Sequence, residues 1–167
     1  MLRNATPWED VEHFIYPLNE DSDFYFEDDR GKLYPTTPDN FRAVHVGGPN
    51  SSVWGVATGH HILRAGHWVW AYFGGKQREI LGVGVVQGVA FRSDWSRFAV
   101  EIRWDEALTA RLAEEPIAYA TYEQRVQAAV VRANDSTKKV LFRWLRHQAL
   151  EPANIERMAD VTCLVRC

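Results

Sequence analysis

Cysteine is scarce in this chain of 167 residues, which contains only Cys163 and Cys167. Two thiols spaced C-x3-C are too few to complete a structural zinc site, and they are typical of reduced cysteines in a cytosolic protein. No apolar run is long enough to cross a bilayer, and the first residues, MLRNATPWEDVEHF, lack the apolar stretch of a signal peptide. The sequence therefore predicts a cytoplasmic protein with no membrane partner.

The common motifs of nucleotide-dependent and hydrolytic enzymes are also missing. There is no G-x-G-x-x-G between a strand and a helix, no G-x-x-x-x-G-K-[ST] and no G-x-S-x-G. His60, His61 and His67 are close in sequence, but neighbouring histidines on a strand or loop point apart. No cysteine or carboxylate accompanies them at the spacing of a zinc site. We expect no metal and no cofactor, and the sequence favours a binding module over an enzyme.

The net charge is small, at -3, but it is unevenly distributed. Residues 1–40 contain ten acidic and three basic side chains, whereas residues 41–167 contain twelve acidic and sixteen basic ones. A mildly basic body is compatible with local binding of a polyanion, because the nearby field matters more than the total charge. Both regions can equally be solvated surface. We expect one domain over 1–167, with 1–40 as an acidic N-terminal extension.

Most of the chain after residue 51 has the hydrophobic pattern of β-strands, followed by helical segments. Glycines at 82, 84 and 88 within one long apolar run indicate a bend, a bulge or a close backbone approach. Strands are predicted at 53–57, 68–73, 80–91 and 97–104, with a short edge strand at 24–26. Helices are predicted at 39–46, 105–115 and 134–150. These elements predict an α+β fold, a small curled β-barrel with flanking α-helices.

Aromatic residues are abundant, with seven tryptophans in the chain. Trp68, Trp70 and Tyr72 occupy alternate positions of a predicted strand and should therefore share one face. Such rings can form core, or they can wall a pocket for a flat ligand. A buried indole N–H needs a hydrogen-bond acceptor, and that acceptor can belong to a ligand. Nucleobases suit such a site, because stacking on an aromatic ring contributes about 1–3 kcal/mol per base.

The predicted C-terminal helix is amphipathic and basic. One face of it carries Leu141, Trp144, Leu145 and Gln148, and the opposite face carries Lys139, Arg143 and Arg146. Three cations along one face can contact phosphates, which contribute affinity without sequence information. A solvated helix face is the alternative interpretation.

Residues 53–86, VWGVATGHHILRAGHWVWAYFGGKQREILGVGVV, resemble the core signature of EVE domains. These belong to the PUA-like group, which also contains YTH and ASCH domains. In that family a tryptophan–glycine strand precedes a short helical segment, then a G-D-x-V-x-x-Y turn and strand, and finally a return strand I-x-G-x-G-x-V. In this chain the corresponding residues, in the same order, are 54–55, 62–63, 66–72 and 80–86. His67 replaces the usual aspartate, and the first fifty residues lack the usual opening W-L-x-K strand.

The resemblance implies a PUA-like barrel of about five to six strands that recognises a modified nucleobase in an aromatic pocket. The partner would be DNA or RNA, often alongside a restriction or RNA-processing protein. The implied ligand-binding residues are Ser52, Trp54, Gly55, Trp70, Tyr72 and Trp95, with Trp54 and Trp95 as opposing walls. The implied phosphate-binding residues are Arg64, Lys76, Arg78, Lys139, Arg143 and Arg146.

Two other functions are consistent with the same residues. Some ASCH relatives are amidohydrolases that act on an acetylated nucleoside with a lysine, tyrosine, glutamate or threonine set. This chain has the corresponding residue types in Thr58, Tyr72, Lys76 and Glu101. The other alternative is a protein-interaction module without a ligand, in which every tryptophan is packed internally.

Overall fold

The computed structural model describes residues 8–19, 25–55, 59–122, 124–127 and 129–148. They form an α+β fold with a nine-stranded mixed sheet and three helices. The strands are β1 (His13–Leu18), β2 (Tyr25–Asp28), β3 (Leu33–Pro35), β4 (Ser51–Gly55), β5 (Trp68–Phe73), β6 (Glu79–Arg92), β7 (Arg97–Trp104), β8 (Ile117–Ala118) and β9 (Val131–Arg132). The helices are α1 (Pro38–His45), α2 (Glu106–Glu114) and α3 (Asp135–Gln148).

The sheet is open, which corrects the expectation of a closed barrel. Its strand order is β3-β2-β4-β7-β6-β5-β1-β9, and β8 pairs separately with β6. The two outermost strands have three and two residues and do not pair with each other within the described part of the chain. Closure needs long strands at both edges with matched register, and these edges are too short to provide it. The expectation of an α+β fold is confirmed.

The first forty residues contribute three strands to the sheet, which the sequence pattern did not reveal for β1. This strand lies between β5 and β9, and it pairs in parallel with β5 from His13 opposite Trp68 to Leu18 opposite Phe73. Five of its six residues are buried. A strand covered on both faces has no polar alternation, so its sequence HFIYPL lacks the period-two signal of a half-buried strand.

Hydrophobic cores lie on both faces of the central strands. Trp68, Trp70 and Tyr72 share one face, as predicted, and pack with residues of α2 and α3. Val69 and Phe73 point to the other face, where they pack in the cluster that contains residues of α1. Every residue of β5 is therefore buried. Among the described residues, no helix is both long and apolar enough to span a bilayer.

The three helices begin at side-chain caps. The side-chain oxygen of Thr37 accepts a hydrogen bond from the Asn40 backbone N–H at 3.1 Å, and Asp105 and Asn134 cap α2 and α3 in the same way. Such caps satisfy backbone N–H groups that the first turn leaves without partners. The predicted helices at 39–46, 105–115 and 134–150 are confirmed, with small differences in their bounds.

The predicted roles of the β6 glycines are also confirmed. A Cβ atom at Gly82 would collide with the ring of Phe41, and one at Gly84 would lie 2.7 Å from the Arg103 carbonyl oxygen. These two glycines therefore permit the close approach of α1 and β7. Gly88 lies at the register shift between β6 and β7, where two β6 residues occupy the space of one.

Candidate functional site

Trp54 lies in the interior, with its ring only 1% exposed. Phe26 stacks on it at a centroid distance of 4.4 Å and an interplanar angle of 17°. Trp104 meets it edge-on at 5.9 Å. The indole N–H donates to the Ser52 hydroxyl at 2.7 Å. The ring therefore has protein partners for its face, its edge and its polar atom, whereas the resemblance implied that it walls a ligand pocket opposite Trp95.

The Ser52 hydroxyl is the centre of a buried hydrogen-bond network. It accepts from the indole N–H groups of Trp54 at 2.7 Å and Trp104 at 2.8 Å. It also lies 2.8 Å from His45 Nε2, while His45 Nδ1 lies 2.9 Å from the Phe41 carbonyl oxygen. A carbonyl only accepts, so Nδ1 carries the proton and Nε2 accepts from the serine. The hydroxyl thus makes the three hydrogen bonds it can make and has none left for a ligand.

His13 holds a third indole by accepting a hydrogen bond from its N–H. Trp70, which is fully buried, donates its indole N–H to His13 Nδ1 at 3.0 Å. His13 Nε2 lies 2.7 Å from the Trp8 carbonyl oxygen, so this nitrogen carries the proton. Burial lowers the pKa of His13 to about 4, against the weaker opposing effect of the hydrogen bond to Trp8, and burial likewise lowers the pKa of His45 to about 4. Both rings are neutral near pH 7.

Of the six predicted ligand-binding residues, only Gly55 and Trp95 reach the surface. A Cβ atom at Gly55 would lie 3.8 Å from Cε3 of Trp95, so the two are neighbours. The Arg92 guanidinium lies 4.2 Å above the Trp95 ring centroid and forms ion pairs with Glu27 at 3.2 Å and Asp94 at 2.5 Å. Arg92 therefore occupies one face of the Trp95 ring. Ser52, Trp54, Trp70 and Tyr72 are buried.

The β6–β7 hairpin carries an exposed aromatic patch that sequence reasoning missed. Phe91 and Phe98 are directly opposed on the two strands and are 58% and 39% exposed. Their rings lie 5.5 Å apart at 75°, and the ring of His60 stacks on Phe98 at 4.2 Å and 13°. We call His60, Phe91 and Phe98 the hairpin patch. Its sequence signal was a phenylalanine on each side of the turn at 93–96, at the ends of the two predicted strands that meet in this turn.

The predicted phosphate-binding residues are dispersed over the surface. Arg64 follows His60 in the same short segment, and its Nη1 donates to the carbonyl oxygens of His61 and Leu63 at 2.7 and 2.8 Å. Lys76 and Arg78 lie in the β5–β6 turn, separated from the hairpin patch by the full length of β6, roughly 40 Å of strand. Lys139, Arg143 and Arg146 are exposed on α3, as predicted.

His67, which stands where EVE domains usually have an aspartate, caps this turn with its own side chain. The His67 Nδ1 accepts a hydrogen bond from the Arg64 backbone N–H at 3.0 Å, and the His67 backbone N–H donates to the Arg64 carbonyl oxygen at 3.1 Å. Its ring also stacks on Phe14 at 4.9 Å. The imidazole thus supplies the acceptor that a carboxylate would supply at this turn.

The residue set of the alternative hydrolase is not assembled. Thr58 lies outside the described residues, and Tyr72 is buried. Lys76 precedes β6, whereas Glu101 pairs with Gly88 near the middle of β7, roughly 30 Å further along the strand. In the described residues there is also no group of three or more histidine, cysteine or carboxylate side chains placed to hold a metal ion.

Comparisons of the chain with protein-family models, with curated proteins and with solved structures find no match.

Proposed function

We propose that this chain is a nucleic-acid-binding module that stacks unpaired bases on the hairpin patch. The observation that carries this proposal is the pair of exposed phenylalanine rings, Phe91 and Phe98, on neighbouring strands. Exposed aromatic rings clustered on strands are costly in water and mark interaction surfaces. Every base has a flat π face, so such rings bind single strands with little dependence on sequence.

The geometry favours Phe91 as the first stacking position. Phe98 has one ring face against His60, at a nearly parallel 13°. Phe91 contacts Phe98 at 75° and is the more exposed of the two rings. A base on Phe91 would extend the existing aromatic row. His60 and Arg64 then provide nearby polar and cationic groups for the phosphates.

The EVE resemblance supports the same class of ligand. Its tryptophan–glycine strand, helical segment, strand and return strand correspond in order to β4, the 3-10 turn His60–Ile62, β5 and β6. We therefore include in the proposal that the chain is a divergent, PUA-like EVE relative. Gly55 and Trp95, near the same hairpin, are the positions where a base modification would be read. The DNA or RNA partner, and any restriction or RNA-processing protein beside it, belong to this proposal.

The test is fluorescence anisotropy with short labelled single-stranded DNA and RNA, each with and without one N6-methyladenine. Phe91→Ala should weaken binding about 5- to 150-fold, the equivalent of about 1–3 kcal/mol of lost stacking. Tyr119→Ala is the control, because Tyr119 is a partly exposed aromatic residue that contacts Arg78 in the β5–β6 turn, at the opposite end of β6 from the hairpin patch. It should bind as the parent does.

Phe91→Leu distinguishes stacking from simple apolar contact. It keeps an apolar side chain but removes the π face, so it should bind nucleic acid nearly as weakly as Phe91→Ala. Equal affinities of the parent, Phe91→Ala and Tyr119→Ala would overturn the proposal. Full binding by Phe91→Leu would overturn the stacking role of Phe91 and would show that this position makes only an apolar contact with the nucleic acid.

A further inference from the structure

We infer that a groove beside α3 binds a small organic anion with an apolar body, a carboxylate or a phosphate ester. The groove lies between α3 and residues 116–121 and has a volume of about 660 Å³. This is within the range of about 300–1,000 Å³ of small-molecule sites in proteins. The inference is independent of the proposed nucleic-acid binding.

The helix wall of the groove combines apolar and basic side chains. Val140, Arg143, Trp144 and His147 occupy positions i, i+3, i+4 and i+7, so they form one stripe along α3. Seven residues of helix rise by about 10.5 Å. The stripe is therefore long enough to contact the whole length of a ligand made of two fused aromatic rings with one acidic substituent.

Trp144 forms the aromatic part of this wall. Its ring meets the buried ring of Trp70 edge-on at 6.0 Å, which connects the groove to the core. Its indole N–H is buried and has no hydrogen-bond partner among the residues that the structure describes. Packing alone therefore positions the ring, unlike the indoles of Trp54 and Trp70, which are fixed by hydrogen bonds.

The charge is confined to one side of the groove. Arg143, Arg146 and His147 are exposed on α3, and no carboxylate in the described part of the chain forms an ion pair with either arginine. The opposite wall, from Pro116 to Thr121, contributes no charged side chain. One basic rim and one apolar wall suit a ligand with one anionic end. A polyanion backbone would need cations along its whole path instead.

The test uses 2-naphthoate, 2-naphthyl phosphate and the neutral 2-naphthamide with the full chain. Calorimetry gives the affinities, and the indole N–H resonance of Trp144, assigned by its loss in Trp144→Phe, gives the location. Either anion should bind and shift this resonance, and the tighter anion identifies the acidic group. Binding of naphthamide as tight as that of the anions, or no shift of the Trp144 resonance at saturating anion, would overturn the inference.

Matched variants separate the groove from general surface charge. Arg143→Gln or Arg146→Gln should weaken anion binding about tenfold, as expected for a charge-assisted hydrogen bond. Lys139→Gln removes an exposed cation of the same helix that does not line the groove, and it should have no effect. Phe91→Ala should also have none, since the hairpin patch is a separate surface. An equal loss in Lys139→Gln and Arg143→Gln would contradict the inference.

Discussion

The interior around Ser52 and the hairpin patch use aromatic side chains in opposite ways. Around Ser52, the indoles of Trp54 and Trp104 are each 1% exposed, and both N–H groups donate to one hydroxyl. At the hairpin, Phe91 is 58% exposed and has no polar atom to satisfy. Burying an indole N–H costs free energy unless the N–H finds an acceptor. The Ser52 hydroxyl supplies this acceptor, so the two indoles are part of the buried core. A phenylalanine ring has no polar atom to satisfy, and Phe91 remains exposed to a ligand.

The buried histidines make the stability of the interior sensitive to protons. His13 and His45 accept hydrogen bonds as neutral rings, and burial lowers the pKa of each from 6.5 to about 4. Between pH 6.5 and pH 4 the unfolded chain binds protons that the folded chain does not. The free energy of unfolding should thus fall as the pH falls, by about 3 kcal/mol for each histidine over this window.

Urea unfolding measured at several pH values from 7 to 4.5 checks this prediction, which carries the largest expected effect. His45→Gln should show about half of the pH dependence, because its side chain does not titrate. A free energy of unfolding that stays constant over this range would contradict the neutral, buried state of both rings.

Ser52→Ala should break the interior network at its centre. The change leaves two indole N–H groups and His45 Nε2 without their partner in a buried site, and each unsatisfied group costs about 1–3 kcal/mol. We expect a loss of at least about 3 kcal/mol in urea unfolding. Ser51→Ala, the neighbouring serine of β4 on the opposite face, should change stability by less than about 0.5 kcal/mol. Equal losses would show that the network contributes nothing specific.

The two halves of β6 should respond differently to alanine. Gly82→Ala places a methyl group against the fully buried ring of Phe41 and should cost about 1–3 kcal/mol through overpacking. Gly88→Ala, in the half that leads to the hairpin, meets no atom within 4 Å and should change stability little. Thermal unfolding of both variants checks the difference. If Gly88→Ala were the more harmful change, the close approach of α1 would not be what requires glycine in this strand.

Much of the architecture was predictable because it depends on local patterns. β5, β6, β7 and all three helices follow from alternation, helical spacing and capping residues, and the β6 glycines indicated tight approaches. The location of Trp54 was not predictable in this way. Its burial depends on Phe26 and Phe41, which reach it through strand pairing and helix packing from other parts of the chain. The burial of Trp70 and Tyr72 could have been predicted from the sequence WVWAYF of β5. Six consecutive apolar residues indicate a strand that is buried on both faces.

The smallest expected effect on stability belongs to the hairpin patch. Phe98→Ala removes a cross-strand aromatic contact with Phe91 at a position 39% exposed, so it should cost less than about 1 kcal/mol. Phe26→Ala opens a cavity against the stacked ring of Trp54 and should cost about 3–5 kcal/mol. Urea unfolding of the two variants side by side measures the contrast. Similar losses would mean that Phe98 serves the fold as Phe26 does, and its exposure would then no longer point to a ligand.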